Sequence, residues 1–535
     1  MTAHRRRVTV SSLRGAVAAA HPLAAQAGAR VLREGGNAFD AAAATAAALN
    51  VVEPFMSGLG GMGVATCFSA RDGRVHVLDF VPPAPRRFPP SGVTSHAHAL
   101  RAAHAVGIPG NLAGWHALVE RFGTRPLGGL LAPAIELARE GFPLTEFAAH
   151  EFAGAAEGIR SQGGEFLERW MNAYGVAGRL PVVGDVLRQP GLARTFEAIA
   201  AEGVGWLYGG GLGRAMVDLA GRHGSVLGID DLEAYRPKWV PPVSIGYQGL
   251  VVHVPPPPAE AFQYLLTLRL LEGIAPNRGE PDGIAHLDAV MRAVRIAAMT
   301  RIEHNLPAPD ELLELLSDRG LAPLLDRLHD GRPVDGPVEQ SAEPVPGATQ
   351  QHTTSFSIAD AAGNAICVTQ SLGSPFGCGL VLDDHGVCLT NLLAWGDMHP
   401  GGPKQLRANG PLALPIAPSL ATSAGRPAVL LGTPGSYGIP QTQAQVMVQH
   451  LRFGLPIQEA IEAPRFRLLD GRAVLMEDRF DARVVDGLRR CGHVIESAPA
   501  WTRLVGGVQA VVIDPARGGI SGGADPRRDG YVATP

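Results

Sequence analysis

Apolar residues recur at helical spacing over Ala24–Arg33, and the run stops at Gly35-Gly36. Asn37 is a cap residue for a second helix, Ala38–Asn50, which is alanine-rich and apolar on nearly every side, the pattern of a helix buried all round. The period then changes. Gly63–Ser69 and Val75–Phe80 alternate about the turn Arg71-Asp72-Gly73 and predict a hairpin. Helical patterns dominate from about residue 110 to 235; within them Pro133–Ala138 is amphipathic, with Pro133 suited to a first helical turn. Val243–Val254 returns to strand pattern around Gly246-Tyr247-Gln248-Gly249, and Phe262–Glu272 and Ile284–Asn305 read as long helices. The tract Asp335–Gln351 (DGPVEQSAEPVPGATQQ) is rich in Pro, Gly and polar residues and cannot build a packed core. Directly after it Thr354–Ala359 has strand composition, Asp360–Asn364 is a turn, and Ala365–Leu372 is a second strand. Strand-type sequence continues until a helix at Gln441–His450. Strands at both ends with helices between predict an α+β protein in which helix layers cover sheets.

Composition narrows this picture. A chain of 535 residues suggests about three or four domains by length alone, but no composition break separates independent cores on either side of residue 352. Hydrophobic content of 46% and charge of 18% describe a soluble globular protein with ample core. Lys+Arg 46 against Asp+Glu 50 gives −4, and the only basic block is Arg5-Arg6-Arg7, which argues against a nucleic-acid partner. The glycines and prolines, 67 and 44, are spread along the chain and imply tight turns rather than disorder. The five cysteines are odd in number and form no CxxC pair, so they read as small buried hydrophobes in a reducing compartment. No apolar stretch follows the N-terminal arginines unbroken, because Arg14 and His21 interrupt it, and the Ala38–Val52 stretch is short for a membrane and carries Asp40. The expectation is a cytoplasmic protein with no membrane partner, export to the periplasm being the alternative.

Candidate chemistry begins at His352-Thr353-Thr354-Ser355-Phe356-Ser357, where the linker meets the strand. A hydroxyl residue at such a junction is where a chain could cut itself, leaving Thr353 with its own α-amine as general base beside its hydroxyl. A loop entering a hairpin, where Thr is common, fits the same residues. Gly58-Leu59-Gly60-Gly61-Met62-Gly63 satisfies GxGxxG, yet a helix precedes it and a strand follows, the reverse of a dinucleotide site. Gly432-Thr433-Pro434-Gly435-Ser436-Tyr437-Gly438 lies between the apolar strand Ala428–Leu431 and the helix near Gln441; it has no P-loop Lys and is not GxSxG. It either offers backbone N–H groups to a developing oxyanion or is a plain strand-to-helix turn. His96-Ala97-His98 and His104 lack further ligands at metal spacing, so neither a metal nor another cofactor is expected.

A series of segments then falls in a telling order: Ala20-His21-Pro22-Leu23-Ala24, Gly28, Leu32–Ala42, Val52-Glu53-Pro54, Ser57–Gly61, Ile108-Pro109-Gly110-Asn111, the Pro255–Pro258 run, Thr353–Ser357, Gly432-Thr433-Pro434-Gly435, Ala463-Pro464-Arg465 and Gly523–Arg528. In order and spacing they resemble the γ-glutamyltransferase family of N-terminal-nucleophile hydrolases over nearly the whole chain. The resemblance implies a four-layer αββα sandwich made as a proenzyme. Residues 1–352 would form a large subunit ending in the flexible linker 335–352. Residues 353–535 would form a small subunit, and the two would interleave into one domain. It implies cleavage between His352 and Thr353, Thr353 as nucleophile, and Gly435 and Ser436 as the oxyanion hole. Ser371, on the same face of its strand as Thr369, matches a family hydroxyl that supports the nucleophile.

The same comparison departs from the family at the substrate. The Arg expected after Asp79-Phe80 reads Val81, and the Asp expected for an α-ammonium falls on Trp395, with Asp397 two residues on. A Ser-Ser pair reads Ala413-Leu414, an Asn reads Gly373, and a Gln reads Leu392. Arg86 or Arg87 could supply a relocated carboxylate contact. Three readings follow. One is a hydrolase of a small-molecule amide whose acyl group is small, such as oxamate, or apolar. The second is a γ-glutamyl hydrolase or transferase with rearranged contacts. The third is a non-catalytic relative.

Overall fold

The computed structural model describes residues 7–90, 92–93, 96–274, 280–339, 352–398, 404–514 and 517–535, so most of the tract read as a linker lies outside the described residues. The alternation at Thr354–Asp360 is real and fully internal. This strand is buried at every position and runs in the middle of a seven-stranded antiparallel sheet. The order across that sheet is Tyr531–Ala533, Gly15–Ala19, Thr354–Asp360, Ala365–Ser371, Met62–Ser69, Arg74–Phe80 and Lys238–Val240. A second seven-stranded sheet runs Val10–Ser12, Ile520–Ala524, Gln509–Ile513, Arg426–Gly432, Ser419–Ser423, Leu250–Val254 and Val243–Tyr247. Both sheets therefore mix strands from before and after residue 353.

The period-two alternation sorts side chains into layers. Ala16, Ala18, Ala359 and Cys367 face inward and pack between the sheets against Leu420, Leu430 and Val511. Their neighbours Val17, Phe356, Ile358, Ile366 and Val368 face outward, into a core shared with the helices Pro22–Arg33 and Ala38–Val52. On the far side Val252, Val254, Val429 and Leu431 pack with the helices Phe262–Glu272, Ile284–Glu303 and Ile439–Leu451. The result is the four-layer αββα sandwich that the resemblance implied. Ala38–Val52 is buried at all positions, and Asn37 caps it as expected. Its side chain accepts from the Phe39 and Asp40 amides, while Asp40 accepts from the Asn37 amide at 2.9 Å.

Two parts of the reading needed revision. The described residues between 372 and 418 are mostly turns and loops rather than strands, with only the short pair Val381–Leu382 and Val387–Cys388 among them. The helices Ile457–Glu462 and Ala482–Arg490 were not anticipated, nor was the small sheet in which Ala473–Glu477 and Val494–Ala498 pair in parallel. Among the described residues no helix is long and apolar enough to cross a membrane.

Candidate active site

Thr353 stands at the entrance to the central strand, and strand pairing decides what it meets. Thr354 pairs with Gln370 and Ser355 with Thr369, so one further step brings Thr353 beside Ser371. The Thr353 hydroxyl lies 2.7 Å from the carbonyl oxygen of His352 and 3.3 Å from Ser371 Oγ. Ser371 Oγ donates to that same carbonyl at 2.7 Å and accepts from the Gly373 amide at 2.9 Å. The His352 carbonyl is thus held by the hydroxyls on either side. The His352 ring is buried, and burial, reinforced by Arg503, Arg101 and Arg528, depresses its basicity far below the ordinary value, leaving a neutral imidazole.

The glycine cluster earlier in the chain serves this corner. Asn111 and Gly110 amides both donate to the Gly61 carbonyl, and a Cβ on Gly61 would stand 2.3 Å from the Ser371 carbonyl oxygen. Close backbone approach is therefore its structural role, in keeping with the helix-before-strand order.

The Gly432–Gly438 turn connects the strand Arg426–Gly432 to the helix Ile439–Leu451. Gly435 takes φ 144°, and Ser436 sits in the left-handed region at φ 53°, a conformation that costs a non-glycine residue about 1–3 kcal/mol and tends to occur at functional turns. Among the described residues the Gly435 and Ser436 amides donate to no protein acceptor. Thr353, Ser371 and Ser436 together line a cavity of about 30 Å³ whose other walls are Met62, Gly373, Trp395, Leu414, Pro415, Ile416 and Ile439.

Three of the predicted substrate positions, Gly373, Trp395 and Leu414, therefore share the cavity with Thr353. The rest do not. Val81 opens with Asp79 into a neighbouring space of about 10 Å³, and Leu414 and Ile416 form the wall common to both. Ala413 is buried outside the lining of the Thr353 cavity, and Leu392 is fully buried against Gly107. Arg86 is half exposed and faces Asp230 and Asp231 at 3.7 and 3.9 Å, and Arg87 is exposed, so neither arginine lines the cavity. The His98 and His104 rings lie 5.5 Å apart, tilted at 58°; the His96 side chain lies outside the described residues.

Sequence reasoning quoted Glu53 and Arg528 inside motifs without giving them a task. Thr354 Oγ1 donates to Glu53 Oε2 at 2.7 Å, and Arg528 Nη1 donates to the Thr353 carbonyl at 3.2 Å, so the two residues hold the backbone at Thr353 and Thr354. Burial pushes the Glu53 carboxyl up to about 7, against the Thr354 hydrogen bond and Arg528, which favour its ionised form. A carboxyl raised in the fold from an ordinary 4.5 contributes stability that is complete below pH 4.5 and is lost as pH rises through 7. Glu53→Gln, placed in a Thr353→Ala background, is expected to remove this loss. Its urea stability relative to the parent should rise between those pH values by roughly 3 kcal/mol, at about 1.4 kcal/mol per pKa unit. Parallel stability curves across that range would contradict the assignment.

A second cluster had no local signal at all. Lys404 Nζ meets Glu260 Oε2 at 2.8 Å and also the Tyr437 hydroxyl, while Arg301 Nη1 meets Glu260 Oε1 at 2.7 Å. Burial alone would raise the Glu260 carboxyl, but Lys404 and Arg301 outweigh it and hold it below its usual range. Lys404 is tied by main chain to Asp397, two residues from Trp395, and Tyr437 adjoins Ser436. The cluster thus fixes the Trp395 loop relative to the Gly435-Ser436 turn.

The sequence model of the family Gamma-glutamyltranspeptidase matches residues 24–534. The acylase ACY 1 proenzyme of Pseudomonas sp. (strain SE83) is 32% identical over 97% of this chain and 93% of its own length. The glutathione hydrolase-like YwrD proenzyme of Bacillus subtilis (strain 168) is 30% identical over 96% of this chain and 97% of its own. Among solved structures, cephalosporin acylase from Bacillus halodurans superimposes with a TM-score of 0.89 at 29% identity, covering 100% of this chain and 98% of that one. With the sandwich and the full-length match agreeing, the chain belongs to the γ-glutamyltranspeptidase family and is an enzyme of its amide-hydrolase and acyl-transfer kind.

Proposed function

We propose that the chain is a self-processing amide hydrolase or acyltransferase in which Thr353 is the nucleophile and the acyl group is uncharged rather than γ-glutamyl. The observation that carries this reading is the pair of hydroxyls, Thr353 and Ser371, each 2.7 Å from the His352 carbonyl oxygen at the edge of an apolar cavity. In self-cleavage Thr353 Oγ attacks the His352 carbonyl carbon while the Ser371 hydroxyl stabilises the oxyanion. The C–N bond breaks, the amine takes the proton, and water hydrolyses the resulting ester. This leaves a His352 carboxylate and a free Thr353 amine, whose ordinary pKa of about 7.7–8.0 suits a base near neutral pH. In turnover the amine accepts the Thr353 hydroxyl proton, the hydroxyl oxygen attacks the substrate amide, and the Gly435 and Ser436 amides receive the oxyanion. The acyl-enzyme then passes its acyl group to water or an amine.

Residues 1–352 and 353–535 would persist as large and small subunits of one interleaved domain, an arrangement supported by the sheets' mixed strands. The proenzyme names of the relatives point the same way. Among the described residues no Lys, Arg, Asp or Glu lines the Thr353 cavity, which favours an uncharged acyl group and speaks against γ-glutamyl. The names acylase and cephalosporin acylase among the relatives fit an acyl-transfer reaction on an amide. The five cysteines stand free, in keeping with a cytoplasmic enzyme. Rapid quench of the protein with an activated apolar amide, followed by mass spectrometry, should show the acyl mass on the peptide that begins at Thr353. Acylation mapped to any other residue would overturn the assignment.

A further inference from the structure

We infer that Trp395 is a specificity-determining residue whose indole N–H donates a hydrogen bond to an uncharged acceptor oxygen on the substrate's acyl group. The inference rests on the reading of Thr353 as nucleophile and goes further into the substrate class. Trp395 lines the cavity with Thr353, yet its Nε1 is buried and among the described residues has no hydrogen-bond acceptor. Buried donors in native proteins are ordinarily satisfied, so a donor left open at a cavity wall is matched to something that enters the cavity.

Its position is well defined. A Cβ on Gly373 would stand 3.1 Å from Nε1 and 2.1 Å from Asn391 Oδ1, so only glycine fits at 373 between the indole and Asn391. The Gly373 amide is itself bonded to Ser371 Oγ at 2.9 Å, and that oxygen lies 3.3 Å from the Thr353 hydroxyl. The donor therefore stands a few short contacts from the reacting atoms. The hydroxyls of Thr353 and Ser371 and the amides of Gly435 and Ser436 are occupied by the reaction, leaving the indole to read the acyl chain. An indole N–H donates and cannot accept, so it does not hold an ammonium group. With no cation among the described lining residues, a carboxylate would be left without a counter-charge. A ketone, ether or amide oxygen, set along an otherwise apolar chain, satisfies both conditions.

The test compares p-nitroanilides that differ only in this oxygen: 4-oxopentanoyl against 4-methylpentanoyl, and 5-oxohexanoyl against 5-methylhexanoyl. Wild type is expected to favour the keto member of at least one pair by about tenfold in kcat/KM, the scale of one hydrogen bond. Trp395→Phe should bring that ratio close to one. Replacing Trp395 by 3-benzothienylalanine, which keeps the bicyclic shape and lacks the N–H, should do the same even if the smaller ring of Phe disturbs folding. Equal ratios in all three proteins for both pairs would overturn the inference while leaving Thr353 untouched. Absence of any anilide turnover in wild type would instead count against the proposed function. In that case calorimetric binding of 4-oxopentanamide and 4-methylpentanamide decides the role of Trp395 by itself. A keto preference present in wild type and lost in the benzothienyl protein supports it, and equal binding overturns it.

Discussion

Thr353→Ala is expected to remain a single chain and to lose amide turnover by on the order of 10⁴-fold or more, the scale seen when a catalytic nucleophile is removed. Both losses have one origin. The same oxygen that faces the His352 carbonyl in the intact chain is the oxygen proposed to attack the substrate, and alanine supplies neither. Thr354→Ala is the informative control, because its hydroxyl is committed to Glu53 at 2.7 Å rather than to the His352 carbonyl. It should still be cut. A Thr353→Ala protein that is cleaved at the usual place, or that turns over amides at the wild-type rate, would contradict the account.

The second large effect concerns the acyl group. Amides of uncharged apolar acids should exceed γ-glutamyl-p-nitroanilide by about a hundredfold or more in kcat/KM. A γ-glutamyl head brings an ammonium and a carboxylate into a cavity whose described walls offer Trp395, Leu414, Ile416 and Ile439, and an ion left unpaired there costs several kcal/mol. The structure also refines the graft suggested by the family pattern, Val81→Arg with Trp395→Asp. Position 395 opens directly beside Thr353, whereas an arginine at position 81 must pass the Leu414–Ile416 wall. Most of any gain in γ-glutamyl turnover should therefore come from the change at 395. Glutathione hydrolysed as fast as the best apolar amide would contradict this reading.

Much of the scaffold was legible because its signals are local. The Asn37 cap, the hairpin around Arg71-Asp72-Gly73 and the strand beginning at Thr354 each follow from short-range chemistry, and each is present. The nearness of Thr353 to Ser371 also follows from pairing two adjacent strands across the turn at Asp360–Asn364. What the sequence hid depends on distant partners. Glu260, Arg301, Lys404 and Tyr437 come from four separate segments, and nothing near any of them announces a buried ion cluster. The segment after Ser371 read as strand because it is rich in apolar residues, and ones such as Phe376 and Leu380 are indeed fully buried, yet on loop and turn backbone. Arg86 illustrates the opposite error. A cation close in sequence to a substrate position was drawn instead to the partly exposed Asp230 and the buried Asp231.

The central claim, that Thr353 becomes a free N-terminus, is tested most directly by N-terminal sequencing of freshly purified active protein after denaturing electrophoresis. Two pieces are predicted, with the smaller beginning Thr-Thr-Ser-Phe. A single full-length band in active protein, or a smaller piece beginning at any other residue, would contradict it.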